Sequence, residues 1–142
     1  MPGNSSILVD SDGLIGLINP SDPNHSKCVE ISNYLTANSL GTIVPYPIVL
    51  EAATTLTRKI NRPDLAKEIL ANNAAIDDKP KLDEDVSALV SNSYWQNTSN
   101  KNTPFDHYLC ALAKKNNIKY IFSFDSFYKK QGLTLAEELL KK

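Results

Sequence analysis

Cysteine is scarce in this chain of 142 residues: Cys28 and Cys110 lie far apart and match no metal-ligand spacing. Two such cysteines exclude a disulfide scaffold. Both fall in stretches patterned as amphipathic helix, where a free thiol packs as a small hydrophobe. Charge of one sign is also missing, since fifteen Lys and Arg meet sixteen Asp and Glu for a formal charge of −1. That balance excludes a uniformly basic nucleic-acid-coating protein. It leaves room for a nucleic-acid enzyme whose acidic centre offsets a basic rim. No apolar run approaches the roughly 18 residues of a membrane span. Met1 to Ser6 lacks the basic start of a signal peptide, and the apolar run behind it stops at Asp10. A soluble, cytoplasmic protein is expected.

Repeats, linkers and low-complexity segments are absent as well. A composition 42% hydrophobic and 22% charged is that of a folded protein. One domain spanning 1–142 is expected from the length.

Ile7-Leu8-Val9 is a β-branched run ending on Asp10, the pattern of a strand buried on both faces. Asp12-Gly13 reads as a turn, with Asp12 capping a short helix that ends at Asn19-Pro20. Residues 24–38 read as a helix with Cys28, Ile31 and Leu35 on one face. Thr42-Ile43-Val44 predicts a second strand. Helix 46–60 carries Val49, Ala53, Leu56 and Ile60, and Pro63 opens another helix to about Asn72. Ala74-Ala75-Ile76 suggests a further short strand. Asp83 is placed as the cap of a helix bearing Val86, Leu89, Val90 and Tyr94. Pro104 starts a helix with Phe105, Leu109 and Leu112 inward, ended by Asn116-Asn117. Residues 119–124 form the strongest strand pattern and again end on an acid, Asp125. Gly132 reads as a helix C-cap, and Leu133 to Leu135 as an edge strand. Strands alternating with helices predict an α/β fold with a parallel sheet of about four to five strands, covered on both faces.

Aspartates at strand ends matter because parallel sheets bind ligands outside the carboxyl ends of their strands, where strand order reverses. Neighbouring 7–9 and 119–124 strands would set Asp10 and Asp125 across one crevice. Each Asp has an ordinary alternative as a turn residue or helix cap. Glu51 and Asp106 lie early in their helices, where an acid also answers the helix dipole. Four carboxylates at one place repel one another unless a cation sits among them, and Mg²⁺ or Mn²⁺ suits an all-oxygen set.

In order, the strand-Asp10-Ser11 start, Glu51 in a helix led by Tyr46-Pro47, Phe105-Asp106-His107-Tyr108-Leu109-Cys110-Ala111, and Ser123-Phe124-Asp125-Ser126-Phe127 resemble the PIN domain. The resemblance runs from about Ile7 to Leu135. Asp22-Pro23-Asn24-His25 is similar to the loop before the second helix of the stand-alone, toxin-like members of VapC type. It implies a three-layer α/β/α sandwich and a metal-dependent endoribonuclease acting on single-stranded RNA. By position, Asp10, Glu51, Asp106 and Asp125 correspond to the acidic metal-site residues, with Ser123, Asp12 and Ser11 in support. Ser123 matches the family's Thr or Ser two places before the last acid. Asp12 departs from the small or amide residue of many members, and the strand after Gly132 is weakly patterned.

The resemblance further implies Mg²⁺ (or Mn²⁺) as cofactor, an RNA substrate, a small antitoxin partner and a homodimer. Arg58, Lys59 and Arg62 are candidate phosphate contacts, and Lys114-Lys115 and Lys129-Lys130 are weaker ones. His25 and His107 are expected at the surface or behind the site rather than in catalysis. Tyr94 reads as core, and Trp95 as an interface residue. Helices 24–38 and 63–72 carry stripes that a short chain buries only in part, leaving a groove for an amphipathic partner. Two other readings stay open. Ile7 to Gly13 also resembles the first motif of haloacid-dehalogenase-type phosphatases, with Asp10 as nucleophile and Asp12 as acid/base. A PIN-like scaffold that only binds RNA or protein is the other.

Overall fold

Ile7, Leu8 and Val9 are buried because strand β1 (Ser6–Val9) has a neighbour on each side and a layer of chain on each face. The computed structural model describes residues 6–74 and 84–141. Among these, β1, β2 (Gly41–Ile43), β3 (Tyr120–Phe122) and β4 (Thr134–Leu135) form one sheet ordered β2-β1-β3-β4. Every pairing is parallel; Leu8 sits opposite Ile43 on one side and Ile121 on the other.

Alternation along the strands sorts the two faces. Leu8 and Ile121 join a core with Ile48, Leu109, Leu112 and Tyr128. Ile7, Val9 and Phe122 turn to the opposite face, against Cys28, Ile31 and Leu35. A period of two therefore feeds both helical layers from one short strand. A third core packs α1 (Ser11–Ile18), α3 (Tyr46–Arg58) and α4 (Pro63–Ala74) together through Ile15, Val49, Ala52, Leu56, Leu65 and Ile69. Helix α2 (His25–Ala37) buries the stripe read from the sequence. Helices α5 (Glu84–Trp95) and α6 (Pro104–Asn116) pack on each other. A four-residue helix α7 (Phe127–Lys130) links β3 to β4, and a 3-10 turn (Ala136–Lys141) follows.

Several expectations change. Helix α1 begins at Ser11 and is capped by Asp10, not Asp12, because the Asp10 N–H still pairs with the Phe122 carbonyl and the strand runs straight into the helix. The pattern at 119–124 yields a strand only over Tyr120–Phe122. Ala74 ends α4 instead of opening a strand, and Ala75-Ile76 and the Asp83 cap lie outside the described residues. Leu89, Tyr94 and Phe105 are more than a third exposed, whereas Val86 is buried. A helix packed chiefly on one neighbour buries a narrower stripe than its apolar residues suggest. The edge strand after Gly132 does form, and Gly132 takes the left-handed conformation (φ 91°) that this turn needs.

Helices α1 and α2 connect β1 to β2 on one side, and the chain then crosses back over β1 to place β3 on the other. Strand order thus reverses at β1. The crevice at the carboxyl ends of β1 and β3 is the switch point of this sheet.

Candidate metal centre

Asp10 is the first residue past β1 and lies almost wholly inside the protein. Its Oδ1 accepts the Ser11 N–H at 2.7 Å, the cap of α1. Its Oδ2 accepts the Tyr128 hydroxyl at 2.6 Å. Asp106 arrives from the first turn of α6, started by Pro104, and is buried too. There Oδ2 accepts the Thr103 N–H at 2.9 Å and Oδ1 lies 3.2 Å from the same Tyr128 hydroxyl. Asp10 thus fills the capping role that was its ordinary alternative, Asp106 completes a capping box at the start of α6, and both turn their second oxygen to one shared phenol.

Glu51, in the second turn of α3, is half-buried, and its Oε1 is buried without a hydrogen-bond partner. Asp125 follows β3. Its Oδ1 accepts the Phe127 N–H at 2.9 Å, and its own N–H donates to Ser123 Oγ at 3.2 Å. That turn starts α7 and swings Tyr128 back beneath Asp10. Asp12 Oδ2 accepts from Ser123 Oγ at 3.0 Å and from the Phe124 N–H at 2.8 Å.

Electrostatics link the acids into one group. Burial pushes the Asp10 carboxyl up to about 7; Asp12 and Asp106 add to the rise, while the bonds from Tyr128 and Ser11 oppose it. Burial also raises Asp12, against its bonds from Phe124, Ser123 and Gly13, with Asp125 adding repulsion. Glu51 is raised by burial, then by Asp106 and Asp12, with the Ser11 side chain working the other way. Burial and the neighbouring Asp10 and Asp106 hold the Tyr128 phenol far above its ordinary range. Cys110 is pushed up to about 12 by burial and the charges of Asp106, Asp10 and Asp125, so it stays a thiol. Asp10, Asp12, Glu51, Asp106 and Asp125 are thus linked through the field each acid exerts on its neighbours.

The donors are all oxygens, the kind Mg²⁺ and Mn²⁺ take. The orphaned Glu51 oxygen and the raised carboxyls are what a cation would satisfy. Among the described residues, no three His, Cys, Asp or Glu side chains already enclose a point as a finished ligand cage. The chemistry of the set fits a divalent ion, with side-chain rotation needed to close around it.

The histidines stand apart from this chemistry. His25 Nδ1 donates to the Gly16 carbonyl at 2.8 Å. His107 is buried, not at the surface, between Ser93 Oγ and Asn97 Oδ1. Asn97 spends its amide hydrogens on the Ser99 and Asn102 carbonyls, so its oxygen accepts from His107 Nε2 and leaves Nδ1 to accept from Ser93. Burial lowers the His107 pKa, with Asp106 partly opposing.

Arg58 and Lys59 are exposed at the end of α3, and Arg58 is about 10 Å along the helix axis from Glu51. Arg62 differs, since it grips Asp64 through two bonds of 3.0 and 2.9 Å. Lys129 is paired with Glu138. A groove of about 620 Å³ between α3 and α4 is lined by Leu50, Ala53, Thr57, Arg58, Ala66 and Leu70. A separate cavity of about 550 Å³ opens beside the amino end of β3, lined by Ser93, His107, Cys110, Lys114, Asn117 and Gly132.

Sequence reasoning missed Tyr128. The signal was present as Asp125 followed three residues later by an aromatic with a hydroxyl, at the end of a buried strand.

Together, the four-stranded parallel sheet and its helical layers define a PIN-like α/β/α fold. Among solved structures, that of Mycobacterium tuberculosis VapC20, a sarcin-ricin loop cleaving toxin, is similar to this chain with a TM-score of 0.76. The match covers 90% of this chain and 96% of that one at 16% sequence identity, a likeness of fold. No protein-family model and no curated protein sequence matches the chain.

Proposed function

We propose that this protein is a Mg²⁺- or Mn²⁺-dependent endoribonuclease of single-stranded RNA, built as one PIN-like domain over residues 1–142. The observation that carries the reading is the convergence of Asp10 and Asp106 on one hydroxyl at the switch point of the sheet. Asp10, Glu51, Asp106 and Asp125 are the residues that would hold the ion. When bound, such an ion lowers the pKa of an attacking water and offsets the charge that grows on the phosphodiester oxygens.

The chain's own groups do the rest. The Ser11 and Thr103 N–H groups fix one oxygen each of Asp10 and Asp106 at the starts of α1 and α6. Ser123 and Asp12 tie the end of β3 to the start of α1 and so set Asp125 relative to Asp10. No protein base is needed, and neither histidine is placed to act as one. A phosphatase using Asp12 as acid/base finds no support, because that carboxylate is occupied by Ser123, Phe124 and Gly13.

The same reading extends to biology. With a solved toxin of the same fold as its neighbour, the protein is proposed as the toxin of a two-component pair in the cytoplasm, acting as a homodimer. No described helix is long and apolar enough to cross a membrane. A small antitoxin with an Arg or Lys entering the acidic crevice would compete for the charge a metal satisfies. Its amphipathic segment has a candidate seat in the α3–α4 groove; α2, by contrast, buries its own stripe.

The test is direct. Purified protein incubated with a single-stranded RNA should cleave it with Mn²⁺ or Mg²⁺ and stop on EDTA addition. Cleavage that persists in EDTA, or none across varied RNA sequences with metal, overturns the nuclease reading. Induced expression should slow bacterial growth, Asp10→Asn should remove the effect, and a neighbouring small gene should rescue it.

A further inference from the structure

The Tyr128 hydroxyl is reached by two acids from opposite ends of the sequence. Asp10 Oδ2 lies 2.6 Å from it across 118 residues, and Asp106 Oδ1 lies 3.2 Å from it across 22. Its ring has no exposed surface and belongs to the core that contains Leu8, Leu109 and Ile121. Phe127 packs edge-on against it at 5.5 Å. A side chain so enclosed has one position, and its oxygen is fixed with it.

Each carboxylate has a division of labour that points to this oxygen. Asp10 Oδ1 and Asp106 Oδ2 are held by backbone N–H groups at the starts of α1 and α6. Those bonds still allow a carboxylate to swing about the anchored oxygen. Asp10 Oδ2 and Asp106 Oδ1 are the atoms left to swing, and both meet Tyr128. A phenol has a single proton, so the hydroxyl donates it chiefly to the nearer Asp10 and shares it with Asp106 in a three-centre bond. The spacing between two acids on separate elements is thereby set by a third element, α7.

We infer that Tyr128 is a positioning residue for metal binding, its hydroxyl holding Asp10 and Asp106 together where a divalent ion would bind. This rests on the reading of those acids as metal ligands. A group that orients a ligand from behind, without touching the ion, typically governs metal affinity by 10- to 100-fold. A phenyl ring of the same shape keeps the packing and lacks the tether. Removing the tether should therefore weaken the ion and spare the fold.

Isothermal titration of Mn²⁺ alone into full-length wild type, Tyr128→Phe and Phe127→Leu is the test, with circular dichroism confirming each fold. Phe127→Leu disturbs the same packing and leaves the hydroxyl in place. The expected result is a Kd for Tyr128→Phe raised about 10- to 100-fold with Phe127→Leu close to wild type. Equal Kd for wild type and Tyr128→Phe overturns the positioning role and leaves the metal site standing. An equal loss in Phe127→Leu also overturns it, since packing alone then explains the effect. No Mn²⁺ heat with wild type overturns the metal reading itself and this inference with it. If Tyr128→Phe does not fold, a one-dimensional proton spectrum of metal-free wild type decides: a downfield hydroxyl signal that shifts in Asp10→Asn supports the tether, and its absence contradicts it.

Discussion

Asp12 and Ser123 are hydrogen-bonded at 3.0 Å across 111 residues, and the same Asp12 oxygen takes the Phe124 N–H at 2.8 Å. The pair fastens the start of α1 to the end of β3. Asp12 is therefore a strut of the site.

Removing that strut should cost stability. Asp12→Ala leaves the Phe124 N–H without its acceptor and frees Ser123, a loss of about 1–3 kcal/mol. Ser123→Ala keeps the Phe124 bond and should cost less. Urea unfolding of the two variants checks the order, and equal stability of Asp12→Ala and wild type would contradict it.

Gly13 holds α1 against β3 at closest approach. A Cβ there would stand 2.6 Å from the Phe122 carbonyl oxygen and 2.8 Å from its ring, against backbone that cannot yield cheaply. Gly13→Ala should destabilise by about 1–3 kcal/mol, as overpacking does. It should also reduce RNA cleavage, because Asp10 and Asp125 flank that contact. A melting curve and a cleavage assay on the same sample test both.

The raised Asp10 carboxyl sets a pH dependence whose sign is fixed. In the unfolded chain Asp10 ionises at 3.8, and in the folded metal-free protein at about 7. Between those values the folded state holds more protons, so stability falls as pH rises through the window. Metal-free protein should melt lower at pH 8 than at pH 5, with Asp12 and Glu51 pushing the same way. Asp10→Asn should flatten part of the slope and gain on the order of 1–3 kcal/mol at pH 8. An Asn fits with its oxygen on the Ser11 N–H and its amide toward Tyr128, whose proton then turns to Asp106. Melting temperature against pH for both proteins tests this; parallel curves would contradict it.

On the basic rim, Arg58→Ala and Lys59→Ala should raise KM for RNA and shallow its salt dependence by about one ion per lost phosphate contact. Arg62→Ala should change little, because Asp64 already occupies that guanidinium. Cleavage rates across a salt series separate the three.

Much of the fold and of the acidic set was legible because each acid closes or opens an apolar pattern. Asp10 follows an aliphatic run, Asp125 an aromatic-rich one, and Asp106 follows a proline that starts a helix. Partners separated by a hundred residues left no local trace. Asp12 read as a turn residue because Ser123 and Phe124 are far along the chain. Tyr128 went unread because an aromatic in a sequence announces its ring and hides its hydroxyl. Tyr94 and Phe105 matched apolar stripes that their helices do not bury, since periodicity says which residues share a face and not how much of it a neighbour covers.

The central claim is that these acids hold a divalent ion. Anomalous diffraction from crystals soaked in MnCl₂ measures it most directly. The account predicts a peak bounded by oxygens of Asp10, Glu51 and Asp106, about 2.0–2.3 Å from its ligands, and its disappearance in Asp10→Asn. A manganese peak elsewhere, or one that survives Asp10→Asn unchanged, would contradict it.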